Sequence, residues 1–383
     1  MELLKREELQ FSELPWKNDR IHHSLHSLCS RICSFPPSLV KHFILSYSNE
    51  SDIVFDPFSG KGTLPLEALI HNRIGWGNDI SPEAYILTKA KICKINPSEL
   101  FSFLNSIRDD VNLPDSLCEV DSSIKVFFNN NTLRQIIGLR NFLIERKDKY
   151  SIFVKALILG ILHGSSSNSL SLRCSHSYSM SPNYVRKYSI KHNLIKPKRD
   201  VFACIKQKAI SCLKDGVPNI KGKAFKCDSR KIEINNHAVD LIITSPPYFA
   251  VQTYAYDNWL RLWFLGYNYK EVHKFQVNTN SEEKYSEFMY DSFKEMYRVL
   301  KNGSMCFVIV GDVKKKYSIK GKSLIKIINT AKFISVEAKK AGFEVLGIID
   351  DTIPQGRKVF NSSLSGKGIK EERILCLKKE YSS

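Results

Sequence analysis

The chain has 383 residues, with 57 Lys and Arg against 39 Asp and Glu, a formal net charge of +18 and a pI near 9.3. That length can bury a large core and implies one α/β domain with a sizeable insertion, or two domains, while the charge favours a polyanionic partner, nucleic acid ahead of an anionic membrane. No apolar run reaches membrane-spanning length and Met1 to Glu8 is charged, unlike a secretion signal, so a soluble cytoplasmic protein without membrane attachment is expected; ten scattered cysteines with no Cys-x-x-Cys pair call for no metal.

Residues 1 to 50 read as a polar leader and a helix from Pro37 to Tyr47. Ser51 to Ile95 gives strand, helix, strand and helix, the first half of a doubly wound sheet. Its first strand, Asp52-Ile53-Val54-Phe55-Asp56, runs into Pro57-Phe58-Ser59-Gly60-Lys61-Gly62-Thr63, where two glycines allow a tight turn and close approach of backbone to a ligand. There is no Gly-Lys-Ser/Thr after a four-residue gap, which excludes a phosphate-binding P-loop. The second strand ends in Asn78-Asp79-Ile80, placing an acid where ribose hydroxyls are bound in such sheets. The order of these features indicates a nucleoside cofactor.

After Ile95-Asn96-Pro97 the alternation stops, and Ser102 to Ile161 is largely helical. His163 to Asn193, rich in Ser, His, Tyr and Arg, reads as an ordered but irregular surface rather than core. Within it Tyr184, Arg186 and Lys187 interleave bases with aromatics, and Lys191, Lys196, Lys198 and Arg199 extend the positive charge; such a segment suits contacts to phosphates and bases. A solvated basic linker is the alternative. Val201 to Leu213 reads as another helix. The sheet pattern resumes at Lys223, and the apolar run Val239 to Ile243 reads as a buried strand. It ends in Thr244-Ser245-Pro246-Pro247-Tyr248, a shaped loop whose prolines fix φ, lack N–H donors and leave carbonyls for a ligand. Beyond it, Ser281 to Val299 is expected as a helix stopped by Lys301-Asn302-Gly303, Met305 to Asp312 as a buried strand and Ile325 to Ala341 as a helix. Phe343 to Asp350 and Arg373 to Lys378 complete the expected strands.

With these motifs in place the chain resembles the S-adenosylmethionine-dependent amino-methyltransferases of DNA. Asp56 to Thr63 looks like their cofactor motif, Asn78 to Ser81 like the ribose-binding acid, and Thr244 to Tyr248 like the catalytic loop. Cys227-Asp228-Ser229-Arg230 resembles the acid near the adenine, and Arg31 to Val40, with Phe35, the segment over the methionine end of the cofactor. The resemblance implies a Rossmann-like class I methyltransferase sheet, with helices on both faces and a reversed last strand, plus a mainly helical insertion. Residues 1–98 would hold the N-terminal segment and cofactor half, 99–218 the helical and basic insertion that recognises DNA, and 219–383 the catalytic half. It further implies that Asp56, Phe58, Ser59, Gly60, Gly62, Thr63, Asp79, Ile80, Asp228 and Phe35 serve S-adenosylmethionine, and that Tyr184, Arg186, Lys187, Lys191, Lys198 and Arg199 serve DNA.

In this family Ser245 and the Pro246 carbonyl would accept the two hydrogens of an exocyclic amine, Pro247 would shape the loop and Tyr248 would stack on the base. Phe249, Tyr254, Tyr256 and Trp259 are candidates for the base pocket, or for core. None of the fourteen prolines precedes Cys, which removes the nucleophile required for methylation at cytosine C5. Serine in the first position of the loop resembles the cytosine-N4 members, whereas adenine-N6 members more often carry Asp or Asn. Two departures bear on the subclass: the insertion falls between the second and third strands of the sheet, and Lys61 occupies a slot where a small residue is common. The expected activity is methylation of a flipped-out cytosine at N4 in double-stranded DNA, within a restriction-modification setting that could include a cognate endonuclease. Adenine-N6 methylation, RNA base amino-methylation and a non-catalytic DNA-binding module are the alternatives.

Overall fold

The computed structural model describes residues 22–31, 34–164, 166–173, 179–249, 253–319, 322–352 and 371–381. Nine strands lie among them: β1 (Ile53–Asp56), β2 (Ile74–Asn78), β3 (Lys223–Phe225), β4 (Val239–Thr244), β5 (Leu300–Gly311), β6 (Val313–Ile319), β7 (Lys322–Ile328), β8 (Glu344–Thr352) and β9 (Glu371–Lys378). Seven form one sheet in the order β3-β2-β1-β4-β5-β9-β8. The first five are parallel neighbours, and β9 runs antiparallel to both β5 and β8. This is the Rossmann-like methyltransferase sheet with its reversed strand at the expected place.

Alternation along each strand explains why both faces are covered. Phe55, Ile242, Val308, Val310, Leu375 and Leu377 join one cluster with Phe288, Phe293 and Ala331 of the Glu282–Val299 and Thr330–Lys340 helices. Their neighbours Val54, Leu241, Ile243, Phe307, Ile309, Ile374 and Cys376 pack on the other face against Leu39, Val40 and Phe43 of the Pro37–Tyr47 helix and Leu64 and Ala68 of the Thr63–Ile70 helix. Each strand therefore feeds two apolar layers, which is why it reads as a continuous apolar run.

The insertion is mainly helical: Pro97–Asp110, Ser122–Lys125, Asn130–Leu143, Lys149–Ile161, Pro182–Lys191 and Val201–Cys212. It shares a third core with the cofactor half, in which Leu66, Leu87 and Ala90 meet Phe127, Phe128, Leu157 and Ile158.

Three expectations are corrected. Ile325 to Ala341 is not one helix: Ile325–Ile328 pairs with β6, and the helix begins at Thr330, where Asn329 accepts the Lys332 N–H at 2.8 Å. A β-branched run and an N-cap residue meet there, and the strand partner lies outside the window that periodicity reads. Lys301-Asn302-Gly303 follows the helix end at Val299 but lies within β5, at an irregular step in its pairing with β4 where Gly303 has φ +77°. His163 to Asn193 is not surface throughout. Ser169, Leu170, Ser171 and Leu172 are buried, and Pro182–Lys191 is a helix capped by Ser181. The Ser171 hydroxyl tolerates burial because it bonds His163 at 2.7 Å and donates to the Leu172 carbonyl at 3.0 Å.

Candidate active site

The strand order turns back on itself at β1 and β4, and in open α/β sheets the crevice at such a switch point, beyond the carboxyl ends of the strands, is the expected ligand site. Both sequence motifs emerge there. After β1 the chain turns through Gly60 at φ +53° and Gly62 at φ +70° into the Thr63–Ile70 helix. A Cβ on Gly62 would stand 2.8 Å from Thr88 Cα, so backbone shape and close packing both demand glycine.

Asp56 lies beneath this turn at 1% exposure. It accepts the Thr244 hydroxyl at 2.5 Å and the Phe58 N–H at 3.0 Å, tying the β1 turn to the start of the Thr244–Tyr248 loop. Burial pushes its carboxyl up to about 7 despite those two hydrogen bonds. Asp79, at the end of β2, accepts the Gly60 N–H and the Ser81 N–H, each at 2.9 Å. Arg31 stands 3.6 Å from it and donates to Glu83 at 3.2 Å. A carboxylate has about four acceptor positions, so Asp79 can brace the turn and still receive hydroxyl donors. Asn78 joins three strand ends, donating to the Pro57 and Cys227 carbonyls and accepting the Cys227 N–H. Beyond β3, burial would raise the Asp228 carboxyl, but its fork to Arg230, 2.6 Å at the shortest, holds it below the usual carboxylate range.

The Ser245–Tyr248 loop leaves β4 held at several points. Tyr285 donates its hydroxyl to the Pro247 carbonyl at 2.9 Å, and the Tyr248 N–H donates to the Tyr254 hydroxyl at 3.1 Å. Tyr248 is buried at 6% exposure and donates its hydroxyl to Glu372 of β9 at 3.0 Å. Burial, then the nearby Asp351, keeps the Glu372 carboxyl above its ordinary range.

One open cleft unites these parts. Of the predicted residues, Phe58, Gly60, Asp79, Ile80, Asp228 and Ser245 to Tyr248 line it. Ser59 and Thr63 are buried outside that lining, with the Ser59 hydroxyl 2.9 Å from that of Thr88. Phe35 does not line it either: it packs with Leu39 and Phe43, because Pro36 and Pro37 start a helix whose apolar face it extends. The lining also includes Tyr254, one of the aromatics considered for the base pocket, and Phe275, Gln276, Val277 and Phe288, which sequence reasoning missed. The last four come from segments distant in sequence from both motifs and carry no local signature. Gln276 Oε1 is buried with no partner among the described residues.

The basic segment sits apart. Tyr184, Arg186, Lys187, Lys191 and Lys198 belong to the insertion, and Tyr184 stacks on Tyr188 with ring planes 16° apart. A second cleft receives Tyr184 together with Arg140, Tyr256, Trp259, Trp263, Tyr267, Tyr269 and Lys270. Arg199 differs, since its guanidinium donates to the Ser167 carbonyl at 2.8 Å and braces the insertion. Phe249 is core, at 1% exposure.

The family model described as DNA methylase, of the N6/N4 type, matches residues 10–90 and 239–383, more than half of the chain and both halves of the sheet. The orphan methyltransferase M.BamHII of Bacillus amyloliquefaciens is 53% identical over 49 residues, 13% of this chain and 18% of that protein. The type II methyltransferase M.HpaI of Haemophilus parainfluenzae is 35% identical over 77 residues, 20% of this chain and 24% of that protein. The matched stretches thus span a quarter or less of those relatives' length. Among solved structures, a candidate DNA modification methylase of Thermus thermophilus, complexed with S-adenosyl-L-methionine, is 21% identical, covering 40% of this chain and 52% of that one at a TM-score of 0.26. TrmN from Thermus thermophilus is 10% identical over 93% of this chain and 52% of its own, at a TM-score of 0.36. On the extent of the family match, the chain belongs to the N6/N4 DNA methylase family.

Proposed function

We propose that this protein methylates the exocyclic N4 amine of a flipped-out cytosine in double-stranded DNA, using S-adenosylmethionine. The observation that carries the reading is the single cleft in which Gly60, Asp79, Ile80 and Asp228 face the Ser245–Tyr248 loop. The donor and acceptor set fits the cofactor. Asp79 and the unpartnered Gln276 Oε1 can receive ribose hydroxyls or an ammonium group, Asp228 an adenine amine, and Phe58, Ile80 and Phe288 offer apolar surface to a purine. The Arg31 guanidinium, in the same lining, suits a carboxylate. When bound, the cofactor supplies an electrophilic methyl group on a sulfonium.

The chain's own residues would do the rest. An exocyclic amine is a weak nucleophile because its lone pair is delocalised into the ring. Ser245 Oγ and the Pro246 carbonyl would accept its two hydrogens, localising that pair and stabilising the charge that develops. Tyr285 takes the neighbouring Pro247 carbonyl and so fixes the loop that presents Pro246. The Glu372 bond holds the Tyr248 ring for stacking on the base. A neutral hydroxyl at Ser245 supports cytosine over adenine. Tyr184, Arg186, Lys187, Lys191 and Lys198, with the aromatic second cleft, would receive the duplex and help repay the few kcal/mol that flipping costs.

The deciding experiment is nucleoside mass spectrometry and methylome sequencing of plasmid DNA from cells expressing the protein. N4-methylcytosine in a fixed sequence context is expected. N6-methyladenine instead would overturn the choice of base, and unmodified DNA beside methylated RNA would overturn the substrate class. Co-occurrence with an endonuclease that is blocked by that modification would establish the restriction-modification setting.

A further inference from the structure

We infer that the β6–β7 ribbon is a second DNA-contacting element, entering a groove of the substrate duplex from the catalytic side. This rests on duplex DNA being the substrate. β6 and β7 pair only with each other among the described residues, from Val313↔Ile328 to Ile319↔Lys322, as a sheet separate from the seven-stranded one. Residues 313 to 328 contain six lysines, at 314, 315, 316, 320, 322 and 326, and no acid.

An isolated two-stranded ribbon is marginal in water, and like charges at opposed positions weaken it further. Lys315 stands opposite Lys326 in the register, so the ribbon's own pairing gains nothing from this charge. A polyanion along the ribbon is the partner that this composition suits.

Placement supplies the second argument. The ribbon begins one residue past β5, beside Asp312, whose carboxylate takes the Arg373 guanidinium at 2.7 Å. The preceding residue in β9 is Glu372, which holds Tyr248 of the catalytic loop. On the return leg the Thr330 hydroxyl donates to the Gly311 carbonyl at 2.8 Å and Ile328 is buried, so both legs are fixed at the base. Seven residues per strand span about 23 Å, and a two-stranded ribbon is one of the shapes a B-DNA major groove admits.

The test compares the full chain with a variant carrying Gln at 314, 315, 316, 322 and 326, and with the single K315E. Binding to a fluorescent 30-base-pair duplex is read by anisotropy from low to moderate salt, alongside methylation of plasmid DNA. The glutamine variant should bind the duplex at least about tenfold more weakly, and the slope of log K against log salt should flatten by about 0.9 for each phosphate that a lysine no longer neutralises. Its KM for DNA should rise with kcat and S-adenosylmethionine binding held. K315E places an opposite charge across from Lys326, which favours the ribbon, yet it should still weaken duplex binding. Arginine at the same five positions should restore affinity. Unchanged affinity and salt slope in the glutamine variant, beside a wild type that binds and methylates duplex, would overturn the ribbon's role alone. A wild type that neither binds nor methylates any duplex, or prefers single-stranded RNA, would overturn this inference and the proposed substrate together.

Discussion

Ser245 and Asp56 are linked through one residue, since Thr244 precedes the serine and its hydroxyl bonds the buried carboxyl. They make different predictions. Ser245→Ala removes an acceptor that would act on the amine in the transition state, so kcat should fall on the order of 10²-fold while S-adenosylmethionine affinity, measured by calorimetry, stays put. Full activity in that variant would sink the assignment. Asp56 works beneath the surface. Its folded carboxyl, near 7, lies above the unfolded value, so its contribution to stability is complete at pH below the unfolded value and is lost as pH rises towards 7 and past it. Asp56→Asn cannot titrate. Its stability relative to wild type, taken from denaturant midpoints between pH 5 and 8, should therefore improve as pH rises to about 7 and then level off, and a pH-independent difference would refute the buried-acid reading.

The strand-turn-helix at β1 shows which parts of the site a sequence can reveal. Gly60, Gly62 and Asp79 lie within 20 residues of one another, and each answers to a local demand: positive φ, close packing against Thr88, or a carboxylate at a strand end. Gly62→Ala forces a Cβ into both constraints. It should cost about 1–2 kcal/mol for the left-handed backbone and more for the clash, seen as a lower melting temperature and weaker S-adenosylmethionine binding. A neutral effect would mean that the turn relaxes. The sheet was legible for the same reason, because alternate residues of each strand feed two apolar layers. What escaped depends on partners far apart in the chain. Ile325–Ile328 became strand because β6 pairs with it, Phe275, Gln276 and Val277 reach the cleft only through the fold, and Phe35 turned inward with its helix. Ser169 to Leu172 looked like surface because its polar composition hid two buried leucines and paired hydroxyls.

At the scale of the molecule, the insertion is interposed in sequence but continuous in packing. The Lys149–Ile161 helix lies against the Pro82–Lys91 helix that follows the acid at the end of β2, and the buried Leu66, Leu87 and Ala90 share one apolar cluster with insertion residues. Two units able to fold alone would bury their own apolar faces, and here the boundary runs through a common core. The insertion's basic helix is thereby fixed relative to the cleft, the arrangement that the proposed coupling of DNA recognition to methyl transfer needs. Leu157→Ala, a cavity in that core, should cost about 2–5 kcal/mol. Because the core is shared, the loss should be felt by the sheet as well: amide exchange in β4 should accelerate as much as in the insertion helices, and circular dichroism should show a single transition moved to lower denaturant. Protection of β4 left intact while the insertion opens would instead mean that the two halves unfold separately and that the basic helix moves independently of the cleft.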